Sequence, residues 1–257
     1  MARFAVIGDP VAHSLSPAMH EAAYRALSLD HSYEAIRVAP DDVVASLERL
    51  KTEGFAGVNV TVPHKEEALG FGSPDEFCLH ARAVNTIDLR SGTGINTDAP
   101  GFLSVLSERA VGKSVLMLGA GGSARALALA MAEAGYPLAI WNRTPERATE
   151  LAALCGGRAV EQVAFRDFDV VVNATSASLL GEVPLPVASA SPPGARGGLA
   201  IDLYYTGGPT AFMSAMSAQG WTTLDGRELL VEQGALAFTF WLGVPAPIEA
   251  MRAAVGL

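Results

Sequence analysis

Short apolar runs alternate along the chain with stretches in which apolar residues recur at helical spacing. The first run, residues 3–7, ends at Gly8, and Ser16-Pro17 then opens a helix that reaches about Leu27. Because this alternation continues throughout, we predict an α/β protein built from βαβ units with mostly parallel sheets. The other predicted strands are residues 32–38, 57–62, 84–90, 114–118, 137–141, 169–173, 199–203 and 221–224.

Between these strands the pattern predicts helices and two kinds of connection. Ser91 to Gly94 is expected to form a hairpin turn, and residues 184–198, rich in Pro, Ser and Gly, a surface loop. The other predicted helices run from Pro40 to about 51, over 99–109, up to Gly135, from Pro145, over 228–242 and from about 247.

Composition and charge restrict the class of protein. The 257 residues suffice for one large or two small domains, and a chain that is 50% hydrophobic and 18% charged is too apolar for disorder. The net charge of −9 disfavours nucleic-acid and anionic membrane partners. No apolar run reaches the length of a membrane span, and the N-terminus lacks a signal-peptide pattern. We expect a cytoplasmic globular protein with a small-molecule substrate.

A glycine turn follows the apolar strand 114–118. Gly119, Gly121 and Ala124 occupy the three positions of the G-x-G-x-x-G/A fingerprint, between a strand and a helix. That arrangement favours a dinucleotide whose pyrophosphate lies at the helix N-terminus, although glycines also serve simply to turn strands into helices.

The end of the next strand indicates which dinucleotide is bound. An NAD enzyme needs an acidic residue there for the ribose, whereas this chain has Asn142-Arg143-Thr144, with Arg147 one turn on. Amide, hydroxyl and guanidinium donors suit a 2′-phosphate, so NADP is favoured. The alternative is an ordinary helix start at Thr144 with solvated arginines.

Polar clusters in the first region suggest a second binding site. Ser14 and Ser16 stand at a helix start, where Ser16 is the expected N-cap. Asn59 and Thr61 would share one face of a strand, and Lys65 follows that strand in a chain with only three lysines. These groups favour a polyhydroxylated, anionic small molecule.

A third cluster adds Asn85, Asn96 and Asp98. Asn96 could fix the turn backbone and Asp98 could cap the helix 99–109. Lys65 and Asp98 together are also a minimal pair for proton transfer. The five histidines and two cysteines form no set with zinc spacing, so no metal and no disulfide framework are expected.

Nine blocks of this sequence resemble the shikimate dehydrogenase family in order and spacing over essentially the whole chain. They are GDPVAHSLSPAMH, GVNVTVPHK, AVNT, GINTDAPG, GAGGSAR, NRTPERA, NATS, DLYY and LLVEQGALAFTFWLG. The resemblance implies two α/β domains: an N-terminal substrate domain, 1–100 completed by C-terminal helices at 234–257, and a Rossmann-type NADP-binding domain at 101–233. It implies reversible NADPH-dependent reduction of 3-dehydroshikimate to shikimate in aromatic amino-acid biosynthesis.

The resemblance also implies residue roles, with Lys65 and Asp98 as the catalytic pair. The substrate would be bound by Ser14, Ser16, Thr61, Lys65, Asn85, Asp98, Tyr205 and Gln233. The cofactor would be bound by Gly119, Ala120, Gly121, Gly122, Ser123, Asn142, Arg143, Thr144, Arg147, Thr175, Leu203 and Gly226.

Three segments depart from the family pattern. Glu21 stands where the family usually has Asn, Ser178-Leu179 replaces a Gly-Met pair, and Gly207 replaces a proline after Tyr205. Two alternatives stay open: a quinate/shikimate dehydrogenase that also uses NAD, and a non-catalytic NADP sensor on the same fold. A monomer and a homodimer are both compatible with the sequence.

Overall fold

The computed structural model describes residues 1–110, 112–188 and 197–257. The chain divides into two compact units, Met1–Gly101 with Leu230–Leu257 and Phe102–Leu229. Gly101 and residues 230–233, which lie in the second of the two expected domains, fall in the first compact unit. Each unit contains a six-stranded sheet with helices, so the predicted α/β class is confirmed. None of the described helices is long and apolar enough to span a membrane.

The strands and helices follow one another in the alternation that the sequence predicts. The strands are β1 (Ala2–Gly8), β2 (His31–Arg37), β3 (Phe55–Val60), β4 (Ser73–Pro74), β5 (Thr86–Asp88), β6 (Thr93–Ile95), β7 (Val115–Leu118), β8 (Leu138–Trp141), β9 (Arg158–Ala159), β10 (Val170–Asn173), β11 (Leu199–Asp202) and β12 (Thr222–Leu224). The helices are α1 (Ser16–Ala26), α2 (Val43–Thr52), α3 (Glu76–Ala81), α4 (Asp98–Ser107), α5 (Gly122–Glu133), α6 (Pro145–Cys155), α7 (Leu185–Ala188), α8 (Ala211–Ser217), α9 (Arg227–Leu242) and α10 (Ile248–Ala254).

The first sheet has the order β2-β1-β3-β5-β6-β4. β1 pairs in parallel with β2 and β3, and β5 runs antiparallel to both β3 and β6. The carboxyl ends of β1, β3 and β6 and the start of β5 therefore lie along one edge of the sheet. This edge carries the polar clusters identified in the sequence.

A tryptophan near the end of the chain packs against the first sheet. The Nε1 of Trp241 in α9 donates to the carbonyl oxygen of Ile87 at 3.0 Å, and its ring stacks on Phe4 with 4.9 Å between centroids. A Cβ at position 57 would collide with the indole, so Gly57 leaves the space it occupies. The C-terminal segment is thus a part of the first core.

The second sheet has the order β12-β11-β10-β7-β8-β9, and each neighbouring pair is parallel. Taken from β9 to β12 and numbered along the chain from β7, the strands have the 3-2-1-4-5-6 order of a doubly wound dinucleotide-binding fold. The first crossover, β7 to α5, contains the predicted glycine turn. The strand order reverses between β7 and β10, and the carboxyl ends of these two strands are where such folds bind ligands.

Several predicted boundaries are wrong by a few residues for reasons that involve distant groups. β3 ends at Val60, so Thr61 lies just beyond the strand. α2 begins at Val43 rather than at Pro40, because the Glu67 carboxylate accepts the backbone N–H groups of Asp41 and Val43, each at 3.2 Å. The capping side chain thus comes from a residue more than twenty positions away in the sequence, which a local pattern does not reveal.

Two predicted connections also differ. The hairpin reversal begins earlier, because the Asp88 carboxylate accepts the N–H groups of Arg90 and Ser91 at 2.9 and 3.3 Å, and β6 already starts at Thr93. Within the predicted loop 184–198, residues 185–188 form α7, and residues 189–196 lie outside the described part of the chain.

Candidate functional site

The predicted lysine–carboxylate pair is formed in the first unit. The Nζ of Lys65 donates to the Oδ2 of Asp98 at 2.6 Å, and the two side chains are only 12% and 10% exposed. Lys65 lies in the turn that follows β3, where its carbonyl oxygen accepts the N–H of Val84 at 3.0 Å. An ion pair that is removed from water is stable only when the two charged groups are close and well oriented. Lys65 and Asp98 therefore form a defined site and are not two solvated surface charges.

Asp98 is free for this pairing because another residue caps its helix. The sequence left open that Asp98 caps the helix 99–109, but the Oδ1 of Asn96 accepts the N–H of Ala99 at 3.0 Å and fills that role. The Nδ2 of Asn96 donates to the carbonyl oxygen of Ala83 at 3.0 Å, which ties the turn to the neighbouring strand. The expected turn-fixing role of Asn96 is therefore confirmed.

Asn85 holds the residue that precedes Asp98. Its Oδ1 accepts the N–H of Thr97 at 2.7 Å, and its Nδ2 donates to the Oγ1 of Thr97 at 3.1 Å. Asn85 is 2% exposed and Thr97 is 1% exposed. Since a hydrogen bond to each amide atom fixes the rotamer, Asn85 determines where the start of α4, and with it the Asp98 carboxylate, lies.

Asn59 belongs to the same buried network. Its Oδ1 accepts the hydroxyl of Tyr33 at 2.7 Å, and its Nδ2 donates to the carbonyl oxygen of Asn85 at 3.1 Å and to the Oγ1 of Thr86 at 2.9 Å. The sequence identified Asn59 as part of a polar stripe but gave no sign of Tyr33. A tyrosine in a strand is ordinarily read as core packing, and only the fold reveals its hydroxyl contact.

Ser14, and not Ser16, supports the start of α1 with its side chain. α1 starts with Ser16 itself, and the residue before it, Leu15, provides no side-chain cap. The Oγ of Ser14 accepts the N–H of Ser16 at 3.2 Å, so Ser14 supports the helix start. Ser16 is the first residue of α1 and is 5% exposed, so it is not the N-cap residue that we predicted.

Thr61 and Gln233 are placed by contacts within the first unit. The N–H of Thr61 donates to the carbonyl oxygen of Ile7 at 2.9 Å, so Thr61 lies beside the end of β1. The Nε2 of Gln233 in α9 donates to the carbonyl oxygen of Leu230 at 2.8 Å, and its Oε1 accepts the hydroxyl of Thr97 at 3.5 Å. Gln233 therefore reaches the network that holds the start of α4.

The glycine turn of the second unit has the conformation that its sequence predicts. Gly119 has φ +113°, and a Cβ there would lie 2.9 Å from the carbonyl oxygen of Ala174. The N-cap residue of α5 is Gly121, which has no side chain to satisfy the first backbone N–H groups. A Cβ at Gly121 or Gly122 would meet no atom within 4 Å, so the space beside the turn is open. This helix start fits a pyrophosphate.

The residues after β8 present donors to solvent. Thr144 is the N-cap residue of α6 but makes no side-chain cap, and the Nδ2 of Asn142 donates to its carbonyl oxygen at 2.9 Å. Arg143 and Arg147 are exposed, and neither forms an ion pair within the described ranges. Two exposed guanidinium groups at this strand end suit a phosphate. Thr144 is the residue at which α6 starts, but its side chain forms no cap hydrogen bond, so only the helix start of the alternative interpretation is observed.

The remaining candidate residues follow β10, β11 and β12. Thr175 donates through its Oγ1 to the Oδ1 of Asn173 at 2.7 Å. Gly226 approaches the backbone so closely that a Cβ would collide with the carbonyl oxygen of Leu203. The ring of Tyr205 stacks on that of Tyr204 at 6.2 Å between centroids. Ala120 and Ser123 flank the two open glycines of the turn.

One buried residue near these strand ends was not identified from the sequence. Asp202, the last residue of β11, is 0% exposed and accepts hydrogen bonds from four groups of the second unit. The only sequence signal for it was its place in the DLYY block. Among the described residues, no group of three His, Cys, Asp or Glu side chains is arranged to hold a metal ion.

Three family models match consecutive parts of the chain. They are the shikimate dehydrogenase substrate binding domain over residues 6–87, shikimate / quinate 5-dehydrogenase over 104–181, and the shikimate 5'-dehydrogenase C-terminal domain over 226–255.

Individual relatives agree over the full length. Shikimate dehydrogenase (NADP(+)) from Thermus thermophilus is 42% identical and covers 100% of both chains, and that from Desulfitobacterium hafniense is 41% identical over 98% of this chain and 96% of its own. A crystal structure of the Thermus thermophilus enzyme in complex with NADP(H) and shikimate has a TM-score of 0.89 at 41% identity, covering 99% of this chain and 98% of that one. The buried Lys65–Asp98 pair, the open glycine turn and this full-length similarity agree, and the chain belongs to the shikimate dehydrogenase family.

Proposed function

We propose that this protein catalyses the reversible NADPH-dependent reduction of 3-dehydroshikimate to shikimate. The observation that carries the proposal is the 2.6 Å contact between Lys65 and Asp98 in a nearly buried setting. The relatives that match over the whole chain are named for this reaction, and one neighbour structure contains shikimate and NADP(H).

In the proposed mechanism, Lys65 supplies the proton that the reduced ketone requires. NADPH, when bound, supplies the hydride to the carbonyl carbon. The Lys65 ammonium donates its proton to the carbonyl oxygen as negative charge develops there, and in the reverse direction the amine accepts the hydroxyl proton. Asp98 orients the ammonium through its 2.6 Å contact and offers its second oxygen to a substrate hydroxyl.

The proposed binding residues divide between the two units. In the first unit, the substrate is assigned to the sheet edge that carries Lys65 and Asp98 together with Ser14, Ser16, Thr61, Asn85 and Gln233. The sheet topology and the shared Asn85–Thr97–Gln233 network support this assignment. Tyr205 completes the proposed substrate-binding set.

The cofactor is assigned to the second unit. Its pyrophosphate would contact the turn from Gly119 to Ser123, and its 2′-phosphate would contact Asn142, Arg143, Thr144 and Arg147. Thr175, Leu203 and Gly226 complete the proposed set. The open space beside Gly121 and Gly122, and the exposed arginines without carboxylate partners in the described chain, support the assignment.

Oxidation of shikimate by NADP tests both the function and the catalytic pair, because the reduced nicotinamide absorbs light. General acid–base catalysis contributes typically ~10²–10⁴-fold, so Lys65→Ala should lose about that factor in kcat with a smaller change in shikimate Kd. Lys65→Arg should not restore kcat, since a guanidinium does not release its proton at working pH. Asp98→Asn should reduce both kcat and affinity.

The controls distinguish this mechanism from simple charge attraction. Lys51→Ala removes an exposed lysine of the same unit and should behave like wild type. If Lys65→Arg kept nearly normal kcat at saturating shikimate, Lys65 would only attract the anionic substrate. Comparable turnover of quinate with NAD would favour the broader dehydrogenase, and absence of turnover with intact NADP binding would favour a sensor.

The proposed cellular setting rests on the two cysteines. Both Cys78 and Cys155 are unpaired and buried, which supports a reducing compartment such as the cytoplasm. The proposed assembly is a monomer or a homodimer. Light scattering during size-exclusion chromatography decides between the two, and fractionation of the source cells tests the compartment.

A further inference from the structure

Asp202 is a buried carboxylate held only by hydrogen bonds. Its Oδ1 accepts from the Nδ2 of Asn173 at 3.0 Å and the N–H of Tyr204 at 3.2 Å. Its Oδ2 accepts from the hydroxyls of Ser178 at 2.5 Å and Thr210 at 2.6 Å. No lysine or arginine of the described chain forms an ion pair with it. The burial of a carboxylate that has no cationic partner is costly unless hydrogen-bond donors compensate the charge, so each of the four donors contributes to keeping Asp202 buried.

Ser178 links this carboxylate to the end of β10. Its Oγ accepts the Nδ2 of Asn173 at 3.0 Å, and its single hydroxyl hydrogen is donated to Asp202. Asn173 in turn accepts the N–H and the Oγ1 hydroxyl of Thr175 at 3.1 and 2.7 Å. The side chains of Asn173, Ser178 and Asp202 therefore form a closed ring, and Thr175 is attached to it.

The segment that this ring supports lies against the glycine turn. The carbonyl oxygen of Ala174 would be 2.9 Å, and the N–H nitrogen of Thr175 3.3 Å, from a Cβ at Gly119. The backbone of Ala174 and Thr175 therefore lies against Gly119, at a distance that only a residue without a side chain permits. Because Asn173 accepts two hydrogen bonds from Thr175, a shift of the Asn173–Ser178–Asp202 ring would also move Thr175 relative to the turn.

We propose that Ser178 is a positioning residue for the cofactor site, acting through Asp202 and Asn173 on Thr175. The inference rests on the proposed function insofar as it places the dinucleotide beside Gly119 and Thr175. Here the serine hydroxyl supplies one of the four donors on which the buried carboxylate depends.

Two substitutions test the proposal without changing the buried charge. Ser178→Ala removes the hydroxyl, and Ser178→Gly also removes the Cβ. Loss of one hydrogen bond to a charged group changes an equilibrium by about 10- to 100-fold. Because part of that loss falls on folded stability, we expect NADP affinity to weaken by roughly 5- to 20-fold, with shikimate affinity within about twofold of wild type.

Calorimetric titration of each variant with NADP and, separately, with shikimate measures both affinities, and thermal unfolding measures stability. Ser214→Ala, an exposed serine of α8, is the matched control and should leave both affinities unchanged. Asp202→Asn should weaken NADP in the same direction, and if it does not fold the two Ser178 variants still decide.

Two results would overturn the inference. If Ser178→Ala and Ser178→Gly lowered the unfolding temperature but bound NADP as wild type does, the ring would stabilise the fold without positioning the loop. If NADP and shikimate affinities fell equally, the effect would be general destabilisation. Failure of the wild-type protein to bind NADP at all would instead refute the proposed function, so the two failures are distinguishable.

Discussion

A buried histidine should make the stability of the first unit fall steeply in acid. His20 in α1 is 0% exposed, and neither ring nitrogen has a hydrogen-bond partner among the described residues. Its ring stacks on Tyr33 at 4.3 Å with 3° between planes, and Tyr24, Phe238 and Trp241 surround it. Burial lowers the pKa of His20 from 6.5 to about 3, because no group compensates the charged form.

The size of the effect follows from the difference in pKa between the folded and unfolded states. Below pH 6.5 the unfolded chain protonates this histidine while the folded chain does not, until the pH approaches the folded pKa of about 3. Each pH unit in that window costs ~1.4 kcal/mol of stability. The contribution is therefore fully present above pH 6.5, and lowering the pH to about 4.5 should remove roughly 2–3 kcal/mol.

Urea unfolding at several pH values measures this loss directly. His20→Phe keeps an aromatic ring in the stack but cannot be protonated, so its stability should fall less than that of wild type by about 2–3 kcal/mol between pH 7.5 and about 4.5. His80→Gln, at an exposed position of α3, is the control for the loss of a histidine outside the aromatic cluster. Parallel curves for wild type and His20→Phe would refute the reasoning and indicate that His20 is protonated in the folded protein.

Two further predictions concern the binding residues. Arg143→Ala should reduce kcat/KM with NADP by roughly 10- to 100-fold, because a charge-assisted hydrogen bond contributes ~1.5–3 kcal/mol, and should leave kcat/KM with NAD nearly unchanged. Steady-state kinetics with both cofactors measure this, and equal losses with the two cofactors would show that Arg143 has a structural role. Ser14→Ala should raise the KM for shikimate and lower stability by about 1 kcal/mol, because the Ser14 hydroxyl also supports the start of α1. Calorimetry checks its ligand preference: weakened NADP binding with intact shikimate binding would contradict the assignment of Ser14 to the substrate.

The general architecture could be predicted because the local pattern of apolar and polar residues determines where strands, turns and helices form. Apolar runs bounded by Gly8 and Gly119 predict strands that end at a turn, and parallel strands place their carboxyl ends on one edge. Lys65 and Asp98 each follow such an edge, so their proximity could be expected from local sequence. The glycine turn was equally predictable, since Gly119 adopts a positive φ that its position requires.

What could not be predicted depends on contacts between distant segments. Whether Asn96 or Asp98 caps α4 cannot be decided locally, because both side chains suit that role and the choice depends on Lys65, over thirty residues away. Glu67 displaces the start of α2 for a similar reason. Asp202 has no signature of its own, since an acid at the end of an apolar strand is ordinarily expected to face solvent.

The position of Trp241 has a consequence for the order in which the chain is completed during synthesis. Residues 102–229 are continuous, so every segment of the second unit has been synthesised before Leu230 is added. The indole that covers Gly57 and stacks on Phe4 arrives later still. The N-terminal strands, although synthesised first, therefore keep an uncovered apolar surface during this interval, and transiently exposed surface of this kind favours aggregation.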